Sequence, residues 1–177
     1  MTNNLILIRG IPGSGKSTTA RKMKEKNPEY VHIEADMFFM RDGVYVFDAS
    51  KLGAAHAWCQ ARHEADLRAG KTVIVSNTFT TIKELIPYFQ IADRVLGTYP
   101  VVHTCNGVFE NVHGVPPEKV KQMRAAFIAE AKKHQVFPMD ASVAARIVAP
   151  RPSITAGRTE FVYTRPMVGL PLSLIHI

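Results

Sequence analysis

The chain reads Gly10-Ile11-Pro12-Gly13-Ser14-Gly15-Lys16-Ser17-Thr18 directly after an apolar run, Leu5-Ile6-Leu7-Ile8. This stretch matches the pattern G-x-x-x-x-G-K-[ST] in full, between a predicted strand and a predicted helix. The glycines allow the backbone to approach phosphate oxygens, and the N–H groups of such a loop point inward as donors. The positive end of the helix dipole also attracts anions. The stretch therefore predicts a phosphate-binding loop, called the P-loop below.

Two side chains of the P-loop are expected to act on ATP and Mg²⁺. Lys16 is predicted to reach the β- and γ-phosphates, and the Ser17 hydroxyl to coordinate Mg²⁺. The full set of predicted nucleotide-binding residues is Gly10, Pro12, Gly13, Ser14, Gly15, Lys16, Ser17 and Thr18. ATP and Mg²⁺ are therefore the predicted cofactors. Lys16 is also a predicted catalytic residue, because charge stabilisation dominates phosphoryl transfer.

Strand-like and helix-like segments alternate along the chain. Apolar or β-branched runs predict strands at 5–8, 30–33, 72–75 and 94–104. Helical spacing and capping residues predict helices at 16–26, from Asp48 or Ser50 to Ala69, at 82–91 and at 118–134. This alternation predicts a parallel sheet with helices on both faces. The expected fold class is α/β, the three-layer sandwich of P-loop NTPases, with a mostly parallel sheet and a small lid.

Three local features carry expectations of their own. The segment 41–45 is predicted to be a turn or loop. In the long helix, the predicted apolar stripe consists of Ala54, Trp58, Ala61 and Ala65. Pro87 is expected to disturb the helix at 82–91, because proline removes a backbone donor.

The composition argues against several classes of protein. No apolar run is long enough to cross a membrane. The first residues lack the basic flank and cleavage site of a signal peptide. Cys59 and Cys105 have no metal-type spacing, which is typical of free thiols in a reducing compartment. We therefore expect a cytoplasmic protein with no membrane contact.

The formal net charge is +7, and most of it lies in one region. Residues 118–165 carry nine Lys or Arg against four Asp or Glu. Concentrated basic charge favours a polyanionic partner, since phosphate neutralisation drives non-specific affinity for nucleic acid. A solvated basic face beside an ATP site explains the same charge. The sequence leaves both interpretations open.

Asp36 is the candidate residue on the acceptor side. It follows the second predicted strand, at the edge of the sheet where open α/β folds bind ligands. A carboxylate there can take the proton of an attacking hydroxyl as the γ-phosphoryl group departs. Alternatively, Asp36 caps the segment that follows it, a frequent role of aspartate. Glu34 shares its face and is the weaker candidate.

The P-loop run, followed by Ala35-Asp36-Met37-Phe38-Phe39, resembles the bacteriophage-type 5′-hydroxyl polynucleotide kinases and their ATP-binding relatives. Further stretches that resemble the relatives are Asp42-Gly43-Val44-Tyr45-Val46-Phe47-Asp48, Ala55-His56-Ala57-Trp58-Cys59, Val73-Ile74-Val75-Ser76-Asn77-Thr78 and Asn111-Val112-His113-Gly114-Val115-Pro116. The resemblance covers about residues 5–134. It implies that Asp36 is the general base. It also implies that the loop before Val115 and Pro116 is a lid over the phosphates.

The chain departs from the polynucleotide kinases at two places. Those kinases have arginines in the lid, whereas residues 106–110 contain none and Glu110 stands where one is expected. They also have an acidic residue after the third strand, where this chain has Asn77. Asparagine can still hydrogen-bond an acceptor or a metal-bound water. The alternative sources of the missing positive charge are Lys119, Lys121, Arg124 and His113.

The leading functional hypothesis is an ATP-dependent kinase acting on a 5′-hydroxyl of DNA or RNA, with the nucleic-acid 5′ end as its partner. One alternative is a small-molecule kinase for a nucleoside, a sugar or an antibiotic. The other is an ATP-binding module without catalysis, which the missing lid arginines favour. Neither protein partners nor an oligomeric state follow from the sequence.

Two clusters have simpler explanations than a binding site. His56, Cys59 and His63 lie on one helical face, but no fourth zinc ligand is evident, which favours packing. The aromatic residues of segment 38–47 could stack on a base, yet aromatic side chains beside a sheet more often belong to the core. We therefore predict that both clusters are structural.

A chain of 177 residues is long enough for one α/β domain. We expect a P-loop kinase domain over residues 1–149. Residues 150–171 contain four prolines and are predicted to be a linker or loop. The last six, Leu172-Ser173-Leu174-Ile175-His176-Ile177, resemble a translated sequencing-library adapter and are predicted to be a non-native tail.

Overall fold

The computed structural model describes residues 4–109 and 114–134. In chain order its elements are β1 (Leu5–Arg9), α1 (Lys16–Lys26), β2 (Val31–Ile33), β3 (Met40–Arg41), β4 (Val44–Tyr45), α2 (Leu52–Arg68), β5 (Val73–Ser76), α3 (Ile82–Leu96), β6 (Val101–Thr104) and α4 (Pro117–His134). Several predictions fall outside the described residues. They concern Glu110 and His113 in the lid, the linker at 150–171 and the tail at 172–177.

A four-stranded parallel sheet forms the centre of the molecule, in the order β2-β5-β1-β6. The register pairs Leu7 with Val75 on one side and with Val102 on the other. Because all four strands run in the same direction, their carboxyl ends meet at one edge. The P-loop, Glu34 and Asn77 follow three of these strands directly. This edge is where doubly wound folds bind their ligands.

The sheet is covered on both faces, as its apolar strands require. Alternate residues of β1 point to opposite faces, so Leu7 and Ile8 join different clusters. Leu7 packs with α2 and α3, where Cys59 and Leu85 are buried. Ile8 packs against Ala20 of α1. The α/β fold with a parallel central sheet is therefore confirmed, and its layers are α1, the sheet, and α2 with α3.

The segment predicted as a turn or loop is an antiparallel hairpin. Met40 pairs with Tyr45 and Arg41 with Val44. Asp42 and Gly43 connect the strands, with φ of 50° and 79°. Two positive φ angles in an Asp-Gly pair are typical of the tight turns that suit hairpins. The turn was correctly placed, but the strands on either side were missed because each has only two residues.

The predicted stripe of α2 was wrong. Ala54, Ala61 and Ala65 are exposed and Trp58 is half-buried. The buried residues are Ala55, Cys59, His63, Asp66 and Leu67. Alanine is too small to decide which face of a helix is buried. Cys59 and Leu67, which bury more apolar area, rotate the helix by about one residue from the predicted face.

Helix α3 also differs from its prediction, since it continues through Pro87 to Leu96. Proline removes one hydrogen bond of the helix ladder, and burial of Leu85, Tyr88 and Phe89 offsets that loss. Strand β6 accordingly begins at Val101 rather than near residue 94. No helix among the described residues has the length and apolarity needed to cross a membrane.

Helix α4 packs beside the end of β1. Its Phe127 ring lies 4.2 Å from the guanidinium carbon of Arg9. The carboxylate of Glu130 accepts the Ile82 N–H at the start of α3, at 2.9 Å. Burial lowers the pKa of Arg9 to about 10, although Glu84 and Glu130 act in the opposite direction. These contacts place the helix that follows the predicted lid next to the P-loop.

Candidate active site

Backbone hydrogen bonds hold the P-loop to the carboxyl edge of the sheet. The Gly10 N–H donates to the Thr78 carbonyl at 3.1 Å. On the other side of the loop, the Cys105 N–H donates to the Arg9 carbonyl at 2.8 Å. The loop is therefore anchored by the segments that follow β5 and β6.

Gly10 occupies a position that only glycine fits. Its φ is 154°, and a Cβ there would meet the Ser14 Oγ and lie 2.6 Å from the Cys105 carbonyl oxygen. Backbone atoms cannot move aside as a flexible side chain can. The close approach of three chain segments at Gly10 sets the shape of the loop.

Replacing Gly10 with alanine is expected to destabilise the fold by about 1–3 kcal/mol, because it adds backbone strain to the clash. ATP affinity should fall as well. Gly53→Ala is the matched control, since Gly53 lies within α2 and a methyl group added there would have nothing within 4 Å. The control should gain about 0.5–1 kcal/mol from helix propensity. Chemical denaturation and ATP titration measure both effects. An unchanged Gly10→Ala protein would contradict the described loop.

Lys16 lies over the loop, and its Nζ donates to the Ile11 carbonyl at 3.0 Å. Burial lowers the pKa of Lys16, while Glu34, Cys105 and Asp36 act in the opposite direction. Ser14 is 3% exposed, and its Oγ has no hydrogen-bond partner among the described residues. A lysine, an unpaired hydroxyl and a glycine cradle at a helix N-terminus suit the phosphates of ATP.

Glu34 forms the most connected polar cluster of the site. Ser76 Oγ donates to Glu34 Oε1 at 2.5 Å, and His32 Nε2 lies 3.1 Å from the same oxygen. Ser17 lies near enough to Glu34 to lower the pKa of that carboxyl as well. Burial alone would raise the pKa of Glu34, but the contacts with His32, Ser76 and Ser17 lower it to about 2. A charged carboxylate therefore lies directly beside the predicted Mg²⁺ ligand, where it can orient Ser17 or accept from a metal-bound water.

Asp36 lies on the 3₁₀ turn Ala35–Phe39 that follows β2, and it is half-buried. It is close enough to Lys16 to influence the pKa of that lysine. The Tyr45 hydroxyl donates to Asp36 Oδ1 at 3.4 Å. The fold thus brings Asp36 to the edge of the sheet that carries the P-loop lysine, although the two residues come from different strand–helix connections.

Asn77 is buried directly after β5, and its side-chain amide contacts groups of the protein. It is 8% exposed, and its Oδ1 accepts the Ala35 N–H at 2.9 Å. Its Nδ2 lies 3.6 Å from Cys59 Sγ. The suggested bond of Asn77 to an acceptor or a metal-bound water stays a prediction. Asn77 holds the backbone directly before Asp36.

The segment after β6 covers the other side of the P-loop. The Phe109 N–H donates to the Gly13 carbonyl at 2.8 Å, and a Cβ on Gly15 would lie 3.0 Å from the Phe109 ring. A cavity of about 100 Å³ opens beside it, lined by Ile11, Cys105, Asn106, Gly107, Arg124, Phe127 and Ile128. Of the basic residues proposed to replace the lid arginines, Arg124 lines this cavity. Lys119 and Lys121 are exposed on the same helix.

The two clusters predicted to be structural are the histidine and cysteine face of α2 and the aromatic residues of segment 38–47, and they differ in burial. Cys59 and His63 are buried, with His63 Nδ1 3.1 Å from the Cys59 carbonyl. No group of three possible metal ligands occurs in the described ranges, 4–109 and 114–134. The aromatic cluster divides: Phe39 is buried as predicted, whereas Tyr45 and Phe47 are exposed.

His32 and Ser76 were missed by the sequence reasoning. A signal for them existed in the register, because Ile33 pairs with Val75 and the next residues, Glu34 and Ser76, are neighbours at the edge of the sheet. That register could not be assigned without knowing that β2 and β5 are adjacent.

The sequence is similar to a known protein family and to a known protein. The profile of a family described as AAA domain matches residues 5–106. Human NEDD4-binding protein 2 is 36% identical over 128 residues, which cover 67% of this chain. The chain spans only 7% of the length of that relative.

Two solved structures resemble the fold. One is a candidate kinase from Chloroflexus aurantiacus, with a TM-score of 0.50 and 17% identity, covering 84% of this chain and 76% of the other. The other is the Pnkp1/Rnl/Hen1 complex, with a TM-score of 0.45 and 21% identity, covering 68% and 38%. At 17% identity, the first of these structures shows a shared architecture alone.

Proposed function

Because the chain belongs to the AAA domain family and has a P-loop kinase-like fold, we propose that it is an ATP-dependent kinase for a 5′-hydroxyl of DNA or RNA. One observation carries the proposal: Asp36 lies on the 3₁₀ turn directly after β2, at the same carboxyl edge of the sheet as the P-loop and Lys16. An acceptor hydroxyl has to lose its proton during transfer, and a carboxylate at the edge that carries the phosphate-binding lysine can accept that proton.

In the proposed reaction, the P-loop N–H groups and Lys16 bind the phosphates, and Ser17 binds Mg²⁺. Mg²⁺, when bound, neutralises charge on the β- and γ-phosphate oxygens. Asp36 accepts the proton of the acceptor hydroxyl while the oxygen of that hydroxyl forms a bond to the γ-phosphorus. The bond from the γ-phosphorus to the bridging oxygen breaks, and ADP leaves with that oxygen. Glu34 keeps the Ser17 side chain oriented throughout.

Two features favour a nucleic acid over a small acceptor. The side chains near Asp36 on the hairpin are exposed, and within residues 4–109 and 114–134 nothing encloses them. Lys119, Lys121 and Arg124 are exposed on α4, which suits a polyanion. A small-molecule kinase would instead be expected to surround its acceptor with protein.

The proposal is tested by transfer of labelled γ-phosphate from ATP to matched oligonucleotides that end in a 5′-hydroxyl or a 5′-phosphate. Nucleosides and sugars serve as competing acceptors. Label on the 5′-hydroxyl oligonucleotide alone, with affinity that falls steeply with salt, supports the proposal. Label on a small acceptor alone would replace it with the small-molecule kinase. Bound ATP without any transfer would leave an ATP-binding module.

Glu34→Gln is expected to raise the Mg²⁺ concentration needed for half-maximal transfer by about 10–100-fold. The amide keeps the size of the side chain but loses the charge beside Ser17. Paramagnetic resonance of Mn²⁺, with a non-hydrolysable ATP analogue present, measures the metal affinity without turnover. Glu25→Gln, on the exposed face of α1, is the control and should change neither quantity. Equal metal affinity in both variants would exclude this role for Glu34.

A further inference from the structure

Exposed apolar side chains are concentrated on one side of the site. Among the described residues, most of the large exposed ones belong to the segment 37–52, namely Met37, Met40, Val44, Tyr45, Val46, Phe47 and Leu52. Isolated exposed apolar residues are ordinary, but a cluster of them on a small domain marks a binding surface. The hairpin β3–β4 and the residues beside it form this cluster.

Two aromatic rings within the cluster are aligned. Tyr45 and Phe47 are 36% and 53% exposed, with centroids 6.4 Å apart and ring planes within 18° of parallel. Tyr45 ends β4 and Phe47 follows two residues later, and the small angle between their rings shows that the two faces are aligned. We call Tyr45 and Phe47 the aromatic platform.

A buried ring supports the platform from below. Phe39 is 2% exposed and contacts both rings, at 6.2 Å and 77° for Tyr45 and at 5.2 Å and 59° for Phe47. Phe38 meets Phe39 edge-on and also contacts Trp58 of α2. This chain of aromatic contacts fixes the platform to the core. The exposed rings are therefore ordered before any ligand binds, which reduces the entropic cost of binding.

The platform is also joined to the proposed general base. The Tyr45 hydroxyl donates to Asp36 Oδ1 at 3.4 Å, so the Tyr45 side chain links the platform directly to that carboxylate. A group stacked on the platform is consequently held beside the point at which the acceptor hydroxyl reacts. This continuity distinguishes the platform from a surface remote from the chemistry.

We propose that the aromatic platform binds the first base of the acceptor strand by stacking and thereby directs its 5′-hydroxyl to Asp36. The proposal rests on the proposed kinase function. Stacking on exposed aromatic rings is tolerant of sequence, because every base has a π-face. The net charge of +7 attracts a polyanion and opposes association with a second copy of the chain.

The test compares two 5′-hydroxyl oligonucleotides that differ in one respect: the first nucleotide carries its base or is abasic. Phe47→Leu is expected to raise KM for the base-bearing acceptor about tenfold, in the range of one stacked base. KM for the abasic acceptor and KM for ATP should remain unchanged. Phe47→Trp should preserve wild-type behaviour, since it keeps an aromatic face. Val44→Thr, on the same hairpin, controls for the general loss of apolar surface.

A second measurement does not depend on transfer. An oligonucleotide with 2-aminopurine as its first base should lose fluorescence on binding, and Phe47→Leu should abolish that loss while Val44→Thr retains it. If wild-type protein quenches the probe but transfers no phosphate, the kinase function fails and the platform stands. If transfer occurs but Phe47→Leu affects both acceptors equally or neither, the platform is wrong. If Phe47→Leu instead abolished dimerisation or binding to lipid vesicles and left KM unchanged, the surface would be assigned to a second copy of the chain or to lipid.

Discussion

Asp36→Asn is expected to lower γ-phosphoryl transfer by about 10²–10⁴-fold, the usual contribution of a general base, while ATP affinity stays the same. The amide keeps an oxygen that can accept from the Tyr45 hydroxyl, so the local geometry should persist. It cannot take up a proton from the acceptor. The alternative that Asp36 caps the following segment is wrong, because Asp36 lies within the 3₁₀ turn and Glu34 occupies its N-cap position. Preserved activity would exclude Asp36 as the general base.

Single-turnover transfer, with saturating ATP and limiting acceptor, is the appropriate measurement because it isolates the chemical step. Asp42→Asn is the matched control: it removes the same charge from the nearby hairpin turn. Asp42 has a φ of 50°, and asparagine tolerates that region well. The control should therefore fold and transfer normally. A similar loss in both variants would mean that general electrostatics, rather than proton transfer at Asp36, limits the rate.

Lys16→Met is expected to lower transfer by about 10²–10³-fold, comparable with the loss of one preorganised charge-stabilising donor, and to weaken ATP binding. Methionine fills much of the same volume without the ammonium group. The folded state should not suffer, because burial already disfavours the charged form and lowers the pKa of Lys16. Removing a partly desolvated charge costs little and can even stabilise. We expect lower activity together with an unchanged or higher Tm.

Calorimetric titration with ATP and thermal unfolding, measured on the same preparation, test this combination. Lys22→Met, on the exposed surface of α1, controls for the change in net charge. Retained ATP affinity in Lys16→Met would show that the loop does not use this lysine for phosphate. A lower Tm in Lys16→Met alone would show that its contact with the Ile11 carbonyl is structural.

Most of the fold could be predicted because it depends on local patterns. The β-branched run at 72–75 predicted a strand, which the structure has at Val73–Ser76, and α1 ends at Lys26, as expected. The predictions failed where a pattern was weak. The alanines of α2 carry too little apolar area to define a face, and two-residue strands leave no alternation to detect. The expected disturbance of the helix by Pro87 was too large, because the burial of α3 outweighs one lost hydrogen bond.

In the candidate site, too, some features depend on local sequence and others on the tertiary structure. The P-loop depends on residues adjacent in the chain, so its sequence by itself determined a glycine cradle between a strand and a helix. Contacts between distant segments needed the tertiary structure. It decided that Glu34 contacts Ser17 and Ser76, that Asn77 supports the backbone before Asp36, and that Phe47 is exposed while Phe39 is buried. The physical reason is that strand order and helix rotation come from burial summed over the whole core, which no local pattern contains.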